Sequence, residues 1–260
     1  MKKRTLNNLI KLLAFLIILT GGYITYDNYS GDSVKIANWN LQIFGTTKAS
    51  DLELMNFYAD KIDNYDIIFI QEIRDSSETA FTELCSMLED YSCFSSSRAG
   101  RSSSKEQYGV IYKNGINILS FADYNPDKQD RWERPPIKVI FNITGYELAV
   151  YNIHTKPDDV QKELYYLENL MEDEENVILL GDLNADCSYY DAEKQTEFDS
   201  WNWVIADDED TTSSSTHCAY DKILLNSDAV QEFKLAGIDS TGITKEISDH
   251  YLVWVEMKIN

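Results

Sequence analysis

Val177-Ile178-Leu179-Leu180-Gly181-Asp182-Leu183-Asn184 carries four apolar residues into a glycine and then into two side chains suited to metal or proton handling. A run of that length bounded by polar residues reads as a buried strand, so Asp182 and Asn184 fall at its carboxyl end. The same arrangement recurs along the chain. Val34-Lys35-Ile36-Ala37-Asn38-Trp39 stops at Asn40, Ile67-Ile68-Phe69-Ile70 at Gln71-Glu72, and Leu148-Ala149-Val150-Tyr151-Asn152-Ile153 at His154. Ser248-Asp249-His250 reverses the order and precedes the apolar residues 251–255. Strands that end this way gather carboxylates, an asparagine and two histidines along one sheet edge, a composition that suits metal-assisted hydrolysis better than a core. The chain has three histidines, and two of them sit at these boundaries. A lone histidine is more often a satisfied structural residue, but two beside Glu72, Asp182 and Asn184 point to a site.

Helix-like stretches lie between the strand-like ones. Val160, Leu164, Leu167 and Met171 recur at helical spacing behind Asp158-Asp159, which suits a helix N-terminus, and residues 79–88 and 49–62 read as two further helices. After Asn184 the pattern predicts strands over residues 220–225, 231–236 and 251–258, with loops at 95–104 and 207–216. Strands alternating with helices and then with more strands predict an α/β fold of two packed sheets with helices outside.

At 260 residues and 43% hydrophobic content the chain can bury one sizeable core, and residues 33–260 read as a single catalytic domain. Met1-Lys2-Lys3-Arg4 followed by residues 9–19, apolar apart from Lys11, has the layout of a secretory signal. No clear small-x-small cleavage site follows, so residues 1–22 read as a signal peptide or as an uncleaved signal-anchor of borderline spanning length. Residues 23–32 would be a polar linker. The expectation is a secreted, extracellular protein, or one attached to the outer face of a membrane by this segment. Four cysteines fit export: they allow two bridges in three pairings, of which the local one, Cys85 with Cys93 and Cys187 with Cys218, is preferred. No paired-cysteine metal spacing occurs. The net charge of −21 weighs against a partner held by many phosphate contacts, although bound divalent cations can invert the field of an acidic cleft.

Six strings together carry a specific resemblance: Asn38-Trp39-Asn40-Leu41-Gln42-Ile43-Phe44-Gly45, Gln71-Glu72-Ile73-Arg74-Asp75, Lys105-Glu106-Gln107-Tyr108, Gly181-Asp182-Leu183-Asn184-Ala185-Asp186-Cys187-Ser188-Tyr189, Cys218-Ala219-Tyr220-Asp221-Lys222-Ile223 and Ser248-Asp249-His250-Tyr251. In this order the chain resembles the endonuclease/exonuclease/phosphatase superfamily over residues 34–258, and within it most closely the secreted deoxyribonuclease I group. The resemblance implies a four-layer α/β/β/α sandwich, two central mixed β-sheets flanked by helices, with the site at one rim. It implies a divalent-metal-dependent endodeoxyribonuclease, monomeric, acting on double-stranded DNA to leave 5′-phosphate ends. Phosphodiester hydrolysis requires an activated water, a protonated leaving oxygen and neutralised phosphate charge. The resemblance assigns the first to His250 oriented by Asp221, and the second to His154 paired with Glu106. Glu72, Asp182 and Asp249 would hold Mg²⁺ or Mn²⁺ with help from Asn40 and Asn184. Arg134 matches a phosphate-contacting arginine and Arg74 one that enters the minor groove.

Asp210, Thr212, Ser214 and Thr216 lie in a segment resembling a structural Ca²⁺ loop, whereas the stretch matching a second such loop, residues 125–132, is short and lacks the relatives' cysteine pair. Gln42 and Ser104 stand where relatives carry a groove-contacting Arg and a sugar-packing Tyr, which weakens groove binding. Two other readings compete. A phospholipid phosphodiesterase of the same superfamily would use the N-terminal segment as an anchor, but its expected apolar contact loops are Ser-, Asp- and Thr-rich here. A non-catalytic nucleic-acid- or protein-binding relative would be free to lose histidines and carboxylates that are all present.

Overall fold

The apolar runs form strands that are buried on both faces, which is why they are continuously hydrophobic rather than alternating. The computed structural model describes residues 31–171, 174–191, 194 and 196–259. The expected signal or anchor segment, residues 1–22, and most of the expected linker lie outside them. In chain order the strands are β1 (Ser33–Phe44), β2 (Ile67–Ile73), β3 (Tyr91–Ser95), β4 (Gln107–Lys113), β5 (Asn117–Asp123), β6 (Ile137–Ile143), β7 (Tyr146–Asn152), β8 (Val177–Asp182), β9 (Asn202–Trp203), β10 (Asp221–Leu225), β11 (Phe233–Asp239) and β12 (Leu252–Lys258). The α-helices are α1 (Thr46–Ala49), α2 (Leu52–Ile62), α3 (Thr79–Ser86) and α4 (Val160–Glu168).

Two six-stranded sheets result, ordered β11-β12-β1-β2-β4-β3 and β5-β6-β7-β8-β10-β9. Each is mixed in the same way: β1 with β2, and β7 with β8, are parallel, and the other pairs are antiparallel. Alternate residues of a strand point to opposite faces. Ile36, Ile178 and Leu180 accordingly face a core between the sheets, while Ala37 and Trp39 pack outward with Met55, Tyr58 and Ile62 of α2, and Leu179 packs with Val160, Leu164 and Leu167 of α4. The expected α/β/β/α layering is the observed one.

Local chemistry moves some boundaries. The expected helix over 49–62 starts at Leu52, because the Asp51 carboxylate accepts the amides of Glu53 and Leu54 and caps it there. Residues 229–232 form a 3₁₀ turn, so the strand expected from 231 begins at Phe233. The start of α3 is held from outside the helix by Asp75, which accepts the amides of Ser77, Thr79 and Ala80 and two hydroxyls. Both local disulfides are present, Cys85–Cys93 and Cys187–Cys218, with Cα–Cα distances of 6.2 and 5.9 Å.

The topology fixes which end of the sandwich carries chemistry. The carboxyl ends of the parallel strands β1, β2, β7 and β8 meet at one rim, where the amino ends of their antiparallel neighbours β4, β6, β10 and β12 also begin. Crevices outside the carboxyl ends of parallel strands are where open α/β sheets bind ligands.

Candidate active site

Beneath that rim lies a buried polar floor. Asn38, Gln71 and Asn152 are fully buried between the sheets. Asn38 Nδ2 donates to Gln71 Oε1 (3.3 Å), Asn152 Nδ2 to Asn38 Oδ1 (2.8 Å) and Gln71 Nε2 to Ile153 O (2.9 Å). Gln71 Oε1 also accepts the amide of Asp182 at 2.9 Å, so a side chain of one sheet sets the height of the carboxylate on the other. Buried polar groups must be paired in this way to be tolerated. Gly181 is required at this crossing. Its φ is +151°, and a Cβ there would stand 2.0 Å from Ile153 O.

The backbone is bent to aim the side chains. Glu72 has φ +61° within a register shift of β2, and Asn184 follows β8 with φ +47°. Such left-handed positions are costly for non-glycine residues and concentrate at functional sites. Asn40 Nδ2 donates to Asp182 Oδ2 (3.1 Å) and to Glu72 Oε1 (3.4 Å), joining the two carboxylates, while its oxygen accepts the Gln42 amide. Asn184 is turned inward, its amide on Asp182 Oδ1 and its Nδ2 on Thr155 O.

The two histidines converge on one oxygen. His154 Nε2 is 3.2 Å and His250 Nε2 3.5 Å from Asp182 Oδ2. The other ring nitrogen of each faces its own carboxylate, Nδ1 of His154 at 2.8 Å from Glu106 and Nδ1 of His250 at 2.7 Å from Asp221. Asp221 lies directly opposite Asp182 in the β8–β10 pairing, and Ser248 fixes the approach of His250 by accepting its amide while donating to Asn40 O. Burial lowers the pKa of both imidazoles, but the carboxylates win. Glu106 and Asp182 bring His154 up to about 9, and Asp221, Asp182 and Asp249 raise His250 well above its usual value. Burial likewise raises Asp182, yet the two imidazoles hold it well below the carboxylate range.

Arg134 stands behind His154. Its Nε donates to His154 O (2.8 Å), its Nη2 to Thr155 O (2.6 Å), and it pairs with Glu106 Oε1 at 2.9 Å. Arg74, the expected groove residue, lies beside the site, with Nη2 at 3.0 Å from Glu72 Oε2, Nε at 3.3 Å from Glu106 Oε2 and Nη1 donating to Ser104 Oγ. Lys48, which the sequence did not single out, donates from Nζ to Leu41 O and Ile247 O and ties the loop after Asn40 to the one before Asp249.

Hard oxygen donors dominate the cleft. Glu72, Asp182 and Asp249 offer carboxylates, and Asp249 is the most exposed of them, with a side chain 37% exposed. Carboxylates of this kind suit Mg²⁺ or Mn²⁺, and among the described residues the close groupings at the rim are Glu72 with Glu106 and His154, and Asp182 with Asp221 and His250. A further grouping, Asp186 with Cys187 and Cys218, cannot ligate through sulfur because the two sulfurs are bonded to each other. The loop of Asp210 is closed on itself: Asp210 Oδ1 accepts the amide and hydroxyl of Thr212, Thr212 Oγ1 donates to Thr216 O, and Ser214 Oγ is within hydrogen-bond reach of Thr216 Oγ1. The four residues of the expected Ca²⁺ loop are thus brought together around the Asp210 carboxylate. In the other loop Asp127 is taken up by Arg131 at 3.0 Å.

A two-sheet sandwich whose rim sets two imidazole–carboxylate pairs around hard oxygen donors is a hydrolase architecture. The Endonuclease/Exonuclease/phosphatase family matches residues 37–250, and the chain belongs to that family. It is 33% identical to human deoxyribonuclease-1, in a match covering 87% of this chain and 93% of that one. It is 33% identical to rat deoxyribonuclease-1-like 1, covering 94% and 84% respectively. Among solved structures, D. rerio TDP2 complexed with single strand DNA product superposes with a TM-score of 0.67 at 14% identity, over 88% of this chain and all of that one. A mannosyl-6-phosphatase from Bacteroides thetaiotaomicron gives 0.65 at 16%, over 85% and 98%. These two show the shared fold.

Proposed function

We propose that this hydrolase is an exported, divalent-metal-dependent endodeoxyribonuclease that cleaves duplex DNA to 5′-phosphate ends and works as a monomer. The observation that carries this reading is the convergence of His154 Nε2 and His250 Nε2 on Asp182 Oδ2 from opposite sides of the sheet interface. A phosphate held in front of Asp182 would have both imidazoles within reach, one from each sheet. The likeness to deoxyribonuclease-1 supports DNA as the substrate, and two disulfides support an oxidising destination.

His154 holds a proton through Glu106 and gives it to the departing 3′ oxygen. His250 takes a proton from water, with Asp221 fixing its tautomer. Part of what keeps His250 protonated is the charge of Asp182 and Asp249, whereas Glu106 belongs to His154 alone of the two imidazoles. Charge neutralisation at Asp182 and Asp249 would lower the pKa of His250, and at Asp182 that of His154 as well, while Glu106 and Asp221 would each still face their own imidazole. Arg134 bears the phosphate charge beside His154. Glu72, Asp182 and Asp249 would hold Mg²⁺ or Mn²⁺, which supplies charge neutralisation at the phosphate when bound.

Supercoiled plasmid incubated with the purified protein tests this directly. Nicked and then linear DNA should form with Mg²⁺ or Mn²⁺ and not with chelator, and the new ends should be ligatable without phosphorylation. Cleavage that persists in chelator, or ends carrying 3′-phosphate, would overturn it.

A further inference from the structure

Glu163 lies on α4, outside every motif at the rim, and is 1% exposed. A carboxylate that deep requires compensation. It comes from two backbone amides on two different loops: Oε1 accepts Glu133 N at 2.6 Å and Oε2 accepts Lys156 N at 3.0 Å. The Glu163 carbonyl in addition accepts Trp132 Nε1 at 3.0 Å, and the Trp132 indole is itself buried. The first loop carries Arg134 one residue beyond Glu133, and the second carries His154 two residues before Lys156. Arg134 closes the circuit by donating to His154 O and Thr155 O.

We infer that Glu163 is a positioning residue for the hydrolytic reaction, a carboxylate fork that holds the Arg134 loop and the His154 loop at a fixed separation. The inference rests on the proposed roles of those two residues. The chemistry of the fork is specific. Two N–H groups converge on it, and a carboxylate offers each an acceptor. Glutamine offers one acceptor and turns an NH₂ toward the second amide, so that one loop is released while size and burial stay the same. Alanine leaves both amides buried without partners. Misplacing a reacting group by about 1 Å costs on the order of a hundredfold in rate, so a loosened fork shows in kcat even though Glu163 touches no substrate.

The test is Glu163→Gln, with Glu163→Asp, whose shorter arm reaches only one loop, as the second variant should Gln fail to fold. Kinetics on a duplex oligonucleotide are measured in the parent and in Arg134→Ala and His154→Ala backgrounds, alongside amide hydrogen exchange. In the parent, kcat should fall about tenfold or more; in the background that has already lost the group carried by the released loop, Arg134→Ala or His154→Ala, the same substitution should cost less than about threefold, because coupled residues are not additive. Exchange at Glu133 or Lys156 should quicken, a readout that needs no activity. Unchanged exchange at both amides removes the fork whether or not the protein cleaves DNA. A kcat near that of the parent, or an equal loss in the parent and in both backgrounds, makes Glu163 a structural residue only. An inactive parent would count against the proposed function, and the exchange result would still decide the fork.

Discussion

The two imidazole–carboxylate pairs have the same form and different supports. Glu106 serves three cations: His154 at 2.8 Å, Arg134 at 2.9 Å and Arg74 at 3.3 Å. Burial raises its pKa, and these partners overcome that and bring it down to about 2. Asp221 is fully buried and has one cation, His250, while its Oδ1 finds no hydrogen-bond partner among the described residues. Burial there prevails and raises its pKa. The proposed acid side is therefore an ion-pair network of one carboxylate with three cations. The proposed base side is a single dyad whose strand is anchored covalently, since Cys187–Cys218 ties the segment after Asp182 to the approach of Asp221.

Reducing the disulfides probes the base side and should have the largest effect on stability. The Cys187–Cys218 bridge spans 31 residues, and closing such a loop contributes on the order of 3.5 kcal/mol in the chain-entropy model. The variant Cys187→Ser/Cys218→Ser should lose about that much in urea denaturation, and its activity should fall with it. Peptide mapping that finds either thiol free in exported protein would remove the covalent half of the comparison.

Glu106→Gln and Asp221→Asn set the two carboxylates against each other. Removing the Glu106 charge leaves two arginines and an imidazolium without their shared partner, which should cost on the order of 3 kcal/mol, as breaking buried ion pairs does. Asp221→Asn removes a charge that is poorly supported, and should cost no more than about 1 kcal/mol while still lowering turnover. Equal losses of stability would mean that the network around Glu106 and the dyad at Asp221 are not different in kind.

The smallest effect is at the margin of the acid side, where Asp75 follows Arg74. Burial raises the Asp75 pKa, but the hydroxyl and amide of Ser77 and the amides of Ala80 and Thr79 hold it well below the carboxylate range. A depressed folded-state pKa gives stability that is present above the unfolded value of about 4 and is lost as pH falls through the folded value. Asp75→Asn should thus destabilise by about 1 kcal/mol at pH 7, and the gap between parent and variant should narrow below about pH 4. A gap that is constant with pH would assign the effect to shape rather than charge.

The strand ends bearing Asn40, Glu72, His154, Asp182 and Asn184 were legible because a strand buried on both faces leaves an unbroken apolar run, whose polar terminus is conspicuous. The edge strands were not. In β5 most residues face solvent, and in β3 only Tyr91 is fully buried, so no apolar run marks them. The floor residues Asn38, Gln71 and Asn152 carry no role in the sequence pattern, since only the second sheet, brought from elsewhere in the chain, gives their amides partners. Glu163 is hidden for the same reason: on a helix surface a glutamate is ordinary, and nothing near it in sequence announces two loops folding onto it.

The most direct measurement is single-turnover cleavage of one end-labelled duplex oligonucleotide by the parent, His154→Ala, His250→Ala and the double variant, each checked by circular dichroism. If both imidazoles serve the same phosphate, each single variant should lose at least about a hundredfold, and the double variant should be little worse than the weaker single one, because residues acting as a unit are not additive. Near-parental cleavage by either folded single variant, or a double variant that loses the full product of the two factors, would contradict a site in which one phosphate lies between His154 and His250.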